Sequence, residues 1–325
     1  MTQKNKKLLF CICGAILFLG IMGFYYFFYA KQIIAEKKLA DSTADSYQQV
    51  RSLAEIYQPM RRWNVKEIDL TAKAGGAIEL EQGVPLKVLF TKNMQQSLPV
   101  ASLSKLVGAM VCLDNYNLKE TVIISQEAIA QSGAVGLLKV GEQLMVKNLL
   151  ELSLIESSND AIYALSEIMG TNNFVRLMNK KTQDLGLAKT YFVNPTGLYE
   201  ANGRTNHSSG MELVKVIERI LFDSNYGPIV DIISTEESSF YSNNGDIYHS
   251  LRNTNELFSE FSFLIGGKTG YLPQTGGSLI TIFQQPEKEI YLISIILNSP
   301  DRFQETRMLL EWLPQGYIYL FNYGN

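Results

Sequence analysis

The chain has 325 residues, 46% of them hydrophobic, with 29 Lys and Arg against 32 Asp and Glu. A net charge of -3 supplies no basic excess to neutralise phosphates, which excludes nucleic acid as a partner, and the 17 Tyr and 16 Phe exclude a disordered chain. With 3 Cys and 2 His, a disulfide scaffold and a His-rich metal centre are excluded as well.

The first element is Leu8 to Tyr29, 22 residues without a charge, preceded by Lys4, Lys6 and Lys7. A helix of that length crosses the hydrocarbon core of a bilayer. A cleaved signal peptide has a shorter apolar region, and Phe28, two places before the small residue Ala30, spoils an A-x-A-like site. Residues 1–30 are therefore expected to be a short tail and an uncleaved transmembrane anchor. Lys4, Lys6 and Lys7 are balanced by Lys31, Lys37 and Lys38, so the positive-inside count ties. The short tail with its amino charge sets the expected orientation: tail inside, long domain exported. Cys11 and Cys13 read as small apolar side chains in lipid.

Residues 31–57 contain no Gly or Pro, and Ile33, Ile34, Leu39, Val50, Leu53 and Ile56 recur loosely at helical spacing. Residues 31–60 are thus a helical stalk, up to about 40 Å long at 1.5 Å per residue, ended by Pro59. Ala77 to Leu80 and Lys87 to Phe90 read as strands about a Gly83-Val84-Pro85 turn. Helical stretches are expected at 102–114, 147–155, 159–169 and 210–222. The apolar strands Ser278 to Phe283 and Ile290 to Leu297 follow. A helix from Asp301 to Trp312 is opened by Ser299-Pro300-Asp301. Strands, then helices, then strands predict one α+β domain over 61–316, its sheet joining both chain ends, and a tail at 317–325.

Three short motifs stand in order along this domain: Ser102-Leu103-Ser104-Lys105, Ser157-Ser158-Asn159 and Lys268-Thr269-Gly270. By composition a Ser-x-x-Lys or a Ser-x-Asn arises roughly once by chance in such a chain, and Lys-Thr-Gly on the order of 0.1 times. On a helix, Ser102 and Lys105 are i and i+3 and share one face. A serine hydroxyl needs a base to become a nucleophile, and a lysine is a base only when neutral. Burial and a second cation both lower a lysine pKa, and Lys268 can be that cation. The helix N-terminus favours negative charge developing at Ser102. Such an acyl-transfer site needs no histidine, which suits a chain with only His207 and His249.

The trio resembles the set of penicillin-binding proteins and class A β-lactamases. Pro99 to Leu106, Ser157-Ser158-Asn159-Asp160-Ala161, Phe192 to Leu198, Gly267 to Tyr271 and Ser299 to Phe303 are similar to the low-molecular-mass D-alanyl-D-alanine carboxypeptidases, the S11 peptidases, over roughly residues 70 to 316. The resemblance implies a β-lactamase/transpeptidase-like α+β fold with a mostly antiparallel sheet and a helical subdomain. It implies Ser102 as the acylated nucleophile, Lys105 as its base, and Ser157 and Asn159 as proton relay and holders of Lys105 and the substrate amide. Lys268 and Thr269 would meet the substrate carboxylate from an edge strand, and Gly270 would let the substrate backbone approach. The backbone N–H groups of Ser102 and Tyr271 would form the oxyanion hole. The implied substrate is a peptidoglycan stem peptide ending in D-Ala-D-Ala, with β-lactams as covalent inhibitors and no cofactor or metal. The chain departs from the family at Ser158, where Gly is common, and at Leu272, where Thr is frequent. The C-terminal β-rich domain and amphipathic membrane helix of many relatives are not expected, the N-terminal helix serving as anchor.

A D,D-endopeptidase would share every motif. A class A β-lactamase would need a deacylating Glu in E-x-x-L-N between Asn159 and Lys268, and none occurs. A non-catalytic peptidoglycan-binding scaffold would have no need of intact Ser102, Lys105, Asn159 and Lys268. Gly266-Gly267-Lys268-Thr269 is no phosphate loop, because Ser262 stands where that motif needs Gly. Asn194-Pro195-Thr196-Gly197 reads as a turn shaping the site. Cys112 reads as a buried small hydrophobe, Trp63 and Trp312 as packing residues, and the histidines as surface or hydrogen-bonded residues.

Overall fold

The computed structural model describes residues 59–133, 137–286 and 288–318. The expected anchor Leu8–Tyr29 with its two cysteines, residues 31–58 of the stalk and residues 319–325 of the tail lie outside them; at the two expected boundaries Met60 and Arg61 instead pair with Ile318 and Tyr317 as short antiparallel strands. Met60 opens the second of two units into which the chain divides. Among the described residues, no helix is long and apolar enough to cross a membrane.

The centre of this unit is a five-stranded antiparallel sheet. Its strands in chain order are β1 (Ala74–Glu81), β2 (Lys87–Lys92), β3 (Leu264–Leu272), β4 (Gly276–Gln284) and β5 (Ile290–Ser299). Their spatial order is β3-β4-β5-β1-β2, so the last strand pairs with the first and β3 forms an edge. The sheet thus joins both ends of the domain, as the order of apolar blocks predicts.

Successive strand side chains point to opposite faces, and both faces are covered. Ala77, Leu279, Phe283, Leu292 and Ile296 pack with Leu309, Leu310, Trp312 and Leu313 of helix α7 (Arg302–Gly316). Their neighbours Ile78, Leu80, Ile280, Ile282, Ile293 and Ile295 join a larger core on the other side. That core is built on α1 (Lys105–Asn115), α2 (Val146–Ile155), α3 (Asn159–Glu167), α4 (Thr171–Asp184), α5 (Gly210–Phe222) and α6 (Gly227–Ile233). Burial on both faces is why β4 and β5 read as continuous apolar runs rather than as alternating ones.

Helix α4 does not appear in the sequence reading. Its buried residues are only Phe174, Met178 and Thr182, one per turn, in an otherwise polar stretch. The closing helix runs past Trp312 through Pro314 to Gly316. Trp312 is buried, as expected, but Trp63 is not a packing residue: it is 89% exposed, with the Arg61 guanidinium 5.8 Å from its ring.

The closing helix is tied to the start of the sheet by one buried carboxylate. Glu305 accepts from Ala72 N at 3.0 Å and Thr71 Oγ1 at 2.9 Å, and also from Thr71 N and Ser299 Oγ. Glu305→Ala would leave the buried donors Ala72 N and Ser299 Oγ unpaired, at a cost of about 3 kcal/mol. The urea midpoint should fall accordingly with the slope unchanged; an unmoved midpoint would show that water replaces the carboxylate.

Candidate active site

The expected helix from residue 102 begins one turn late. Ala101–Ser104 form a 3₁₀ turn and α1 starts at Lys105. The turn is held from three sides: Leu98 and Pro99 pair with Ser208 and His207, Val100 N donates to Asn206 O at 3.1 Å, and Asn298 Nδ2 donates to Pro99 O at 2.9 Å. Half-buried Ser102 therefore sits on fixed backbone at the mouth of α1.

The i to i+3 spacing brings Lys105 Nζ to 2.7 Å from Ser102 Oγ. The same nitrogen donates to Asn159 Oδ1 at 2.7 Å and to the Thr196 carbonyl at 3.1 Å. Asn159 opens α3, where Ser158 caps the helix by accepting from Ala161 N at 3.2 Å. Its Nδ2 donates to Ser132 O at 2.7 Å, which turns the amide so that its oxygen faces the lysine. Ser157, with φ 64, lies in the left-handed region that costs a non-glycine residue about 1 kcal/mol or more. From there its Oγ accepts from Lys268 Nζ at 2.8 Å. Ser157 thus contacts Lys268, while Asn159 of the same motif holds Lys105.

Lys268, Thr269 and Gly270 lie on the edge strand β3. Thr269 Oγ1 is 2.6 Å from Thr254 Oγ1. A Cβ on Gly270 would stand 3.0 Å from Ala101 Cβ and 3.2 Å from Ser102 N, so this glycine lets the strand lie against the serine turn. The Tyr271 side chain is exposed. Arg302 Nη1 donates to Gly270 O at 3.1 Å from the start of α7.

Both lysines are buried. Burial, and next the Lys268 charge, hold Lys105 well below the usual lysine range. Lys268 is lowered to about 7, first by burial and then by the Arg302 charge. A neutral Lys105 amine 2.7 Å from a hydroxyl can accept its proton, and a charged Lys268 on an edge strand can attract a carboxylate. Seven of the eight expected residues meet in this network or line it. Tyr271 follows Gly270 on the same strand with its side chain exposed.

Sequence reasoning missed the Thr196 and Ser132 carbonyls, Thr254 and Arg302. The turn Asn194 to Gly197 was legible, with Gly197 N donating to Asn194 Oδ1 at 2.8 Å, but not that its carbonyl meets Lys105. Cys112 is a buried thiol on α1, its pKa pushed up by burial. His207 Nδ1 lies 3.0 Å from Thr205 O, and His249 is buried 2.6 Å from Glu142.

A D-alanyl-D-alanine carboxypeptidase family model matches residues 62–301. The chain is 32% identical over 212 residues to the D-alanyl-D-alanine carboxypeptidase DacF of Bacillus subtilis, covering 63% of this chain but only 52% of that relative. It is 30% identical to a D-alanyl-D-alanine endopeptidase of Pseudomonas aeruginosa, covering 75% and 78%. Among solved structures it is similar to a penicillin-binding protein homolog of Mycobacterium tuberculosis (25% identity, TM-score 0.68, 80% and 98% covered). It is also similar to penicillin-binding protein D2 of Listeria monocytogenes in its ampicillin-bound form (26%, TM-score 0.64, 76% and 99%). With this match and the Ser-Lys, Ser-Asn and Lys-Thr-Gly groups converging at one site, the chain belongs to the D-alanyl-D-alanine carboxypeptidase family of serine peptidases.

Proposed function

We propose that the chain removes the terminal D-Ala from peptidoglycan stem peptides through an acyl-enzyme on Ser102. The observation that carries this reading is Lys105, buried, held low in pKa and 2.7 Å from the Ser102 hydroxyl. Lys105 takes the proton as Ser102 Oγ attacks the penultimate carbonyl. The C–N bond then breaks, and the leaving D-Ala amine gains the proton that Lys105 took from Ser102, while Asn159 holds Lys105 in place at 2.7 Å. Water hydrolyses the ester and frees the serine. Lys268 and Thr269 receive the terminal carboxylate, and the N–H groups of Ser102 and Tyr271 the oxyanion, an interaction worth about 3 kcal/mol in the transition state. β-Lactams would acylate the same serine, since they carry an acyl group and carboxylate in the same relation. The uncharged stretch Leu8–Tyr29 supports a membrane-anchored enzyme, and the short charged tail before it supports a domain outside the cytoplasm.

A second reading is cleavage of cross-links, favoured by the D,D-endopeptidase relative, 78% of which the chain spans. Product analysis with pentapeptide and with cross-linked muropeptide separates the two. Release of one D-Ala from pentapeptide supports the first reading, opening of the cross-link supports the second, and turnover of neither would refute both.

The two lysines also set the pH dependence. The base must be neutral and the carboxylate-binding lysine charged, and free Lys268 loses its proton at about 7. A bound carboxylate keeps that proton in place. The alkaline limb of kcat/KM, which reports the free enzyme, should therefore begin near pH 7, below that of kcat. Coincident limbs would mean that Lys268 does not bind the carboxylate.

A further inference from the structure

Outside the reacting groups, the described residues contain one buried acid–imidazole contact. Glu142 and His249 side chains are 0% and 5% exposed, with Oε1 and Nε2 2.6 Å apart. They belong to different parts of the domain. Glu142 closes the neck of an excursion between Ile124 and Glu142. There Ile124 N donates to Glu142 O and Gly141 N to Ile124 O, both at 2.9 Å. Glu142 Oε2 accepts from Lys139 N at 3.1 Å within the returning arm. From Ile124 the outgoing arm runs through Ser125, which caps the helix Gln126–Ile129, to Ser132, whose carbonyl holds the Asn159 amide.

His249 lies on the second strand of the hairpin Glu237–Tyr241 and Tyr248–Arg252. At its tip Asn243 N donates to Gln143 O at 2.8 Å, so the hairpin grips the strand just past the neck. Past its end Thr254 meets Thr269 Oγ1 at 2.6 Å, and Thr254 N donates to Ile155 O at 3.1 Å. Glu156, just before Ser157, has its carboxyl pKa raised by burial, an effect partly offset by the Arg252 backbone and by His249.

We propose that Glu142 and His249 are a positioning pair for the reaction, bracing the Ser132 excursion against the hairpin so that Asn159 presents its oxygen to Lys105. A carbonyl only accepts, so the Ser132 contact permits one orientation of the Asn159 amide. Without it only the Lys105 N–H keeps the amide oxygen in place, and the amide is free to move off the lysine. The proposal rests on the acyl-enzyme reading of Ser102, and it places no group in contact with substrate.

Loosening the excursion also hydrates the pocket of Lys105, whose low pKa depends first on burial and then on Lys268. The acid limb of the acylation profile then moves to higher pH, an effect that lost stability alone does not produce. The facing charged groups are Lys268 at Lys105, and Glu142, Glu156 and Arg252 around His249.

The test measures fluorescent-penicillin acylation against pH, together with thermal melting, for the wild-type protein and for Glu142→Ala, His249→Ala, the double variant and Glu142→Gln. Labelling of the wild-type protein checks the acyl-enzyme reading separately; without it both that reading and the brace fall. Each alanine variant should acylate about 10- to 100-fold more slowly, since small misplacements cost that much, with the acid limb shifted upward. The double variant should be no worse than either single one, and Glu142→Gln, which still accepts from the imidazole, should recover most of the rate. Folded alanine variants with wild-type rates and acid limbs would overturn the proposal. If the alanine variants do not fold, Glu142→Gln and His249→Gln decide it. Both retain a hydrogen bond and are expected to keep the acid limb in place, whereas Glu142→Leu, which fills the space without one, must shift it; a Glu142→Leu limb matching wild type would overturn the proposal.

Discussion

Lys105→Arg is expected to lower the rate of penicillin acylation and of D-Ala release by about 10²–10⁴-fold, the range set by loss of a general base. The substitution keeps approximate length and hydrogen-bond donors. What it removes is the neutral form, because a guanidinium does not deprotonate in proteins. Lys105 is held low by burial and by Lys268, which favours the neutral amine that takes the Ser102 proton across 2.7 Å. Stopped-flow acylation at several pH values checks this, with circular dichroism to verify folding. A folded Lys105→Arg protein within threefold of wild type would assign the base to another group.

The second large effect is expected at a residue that touches no substrate. Gly197 has φ +88, and a Cβ built on it would stand 2.1 Å from Ala101 O and 2.9 Å from Ser104 Oγ. Ala101 precedes the nucleophile and itself sits at φ 49. An alanine at 197 has to push the serine turn aside, so Gly197→Ala should cost about 2–4 kcal/mol of stability and slow acylation at least tenfold in the folded fraction. Gly186→Ala is the control. Gly186 also has positive φ (+66), but nothing lies within 4 Å of its built Cβ, so only the backbone cost of about 1 kcal/mol applies and acylation is unchanged. Urea titration and labelling of both variants check the pair; equal losses would show that the contact with Ala101 does not matter.

The nucleophile and its partners were legible because their geometry is local. Ser102 and Lys105 need one turn of helix to meet, and Asn159 and Lys268 carry side chains whose chemistry the residue type announces. The Thr196 and Ser132 carbonyls were hidden because any residue supplies a carbonyl, and only the fold aims it. Ser157 shows the limit from the other side: its left-handed backbone directs its hydroxyl to Lys268, which spacing alone does not reveal. In the fold, β4 and β5 were legible as apolar blocks buried on both faces. Strand β3 was expected only from the resemblance, since Gly266, Gly267 and Gly270 dilute its pattern. Helix α4 was missed because it buries a single narrow stripe. The turn opening α1 in 3₁₀ form is fixed by Asn206 and Asn298, both distant in sequence.

The central claim is that Ser102 becomes acylated. Incubating residues 31–325 with benzylpenicillin, digesting the protein and sequencing the adduct by mass spectrometry tests it most directly. The expected result is one adduct with the mass of the whole β-lactam, on Ser102, absent from Ser102→Ala. An adduct on any other residue, or one that persists in Ser102→Ala, would contradict it.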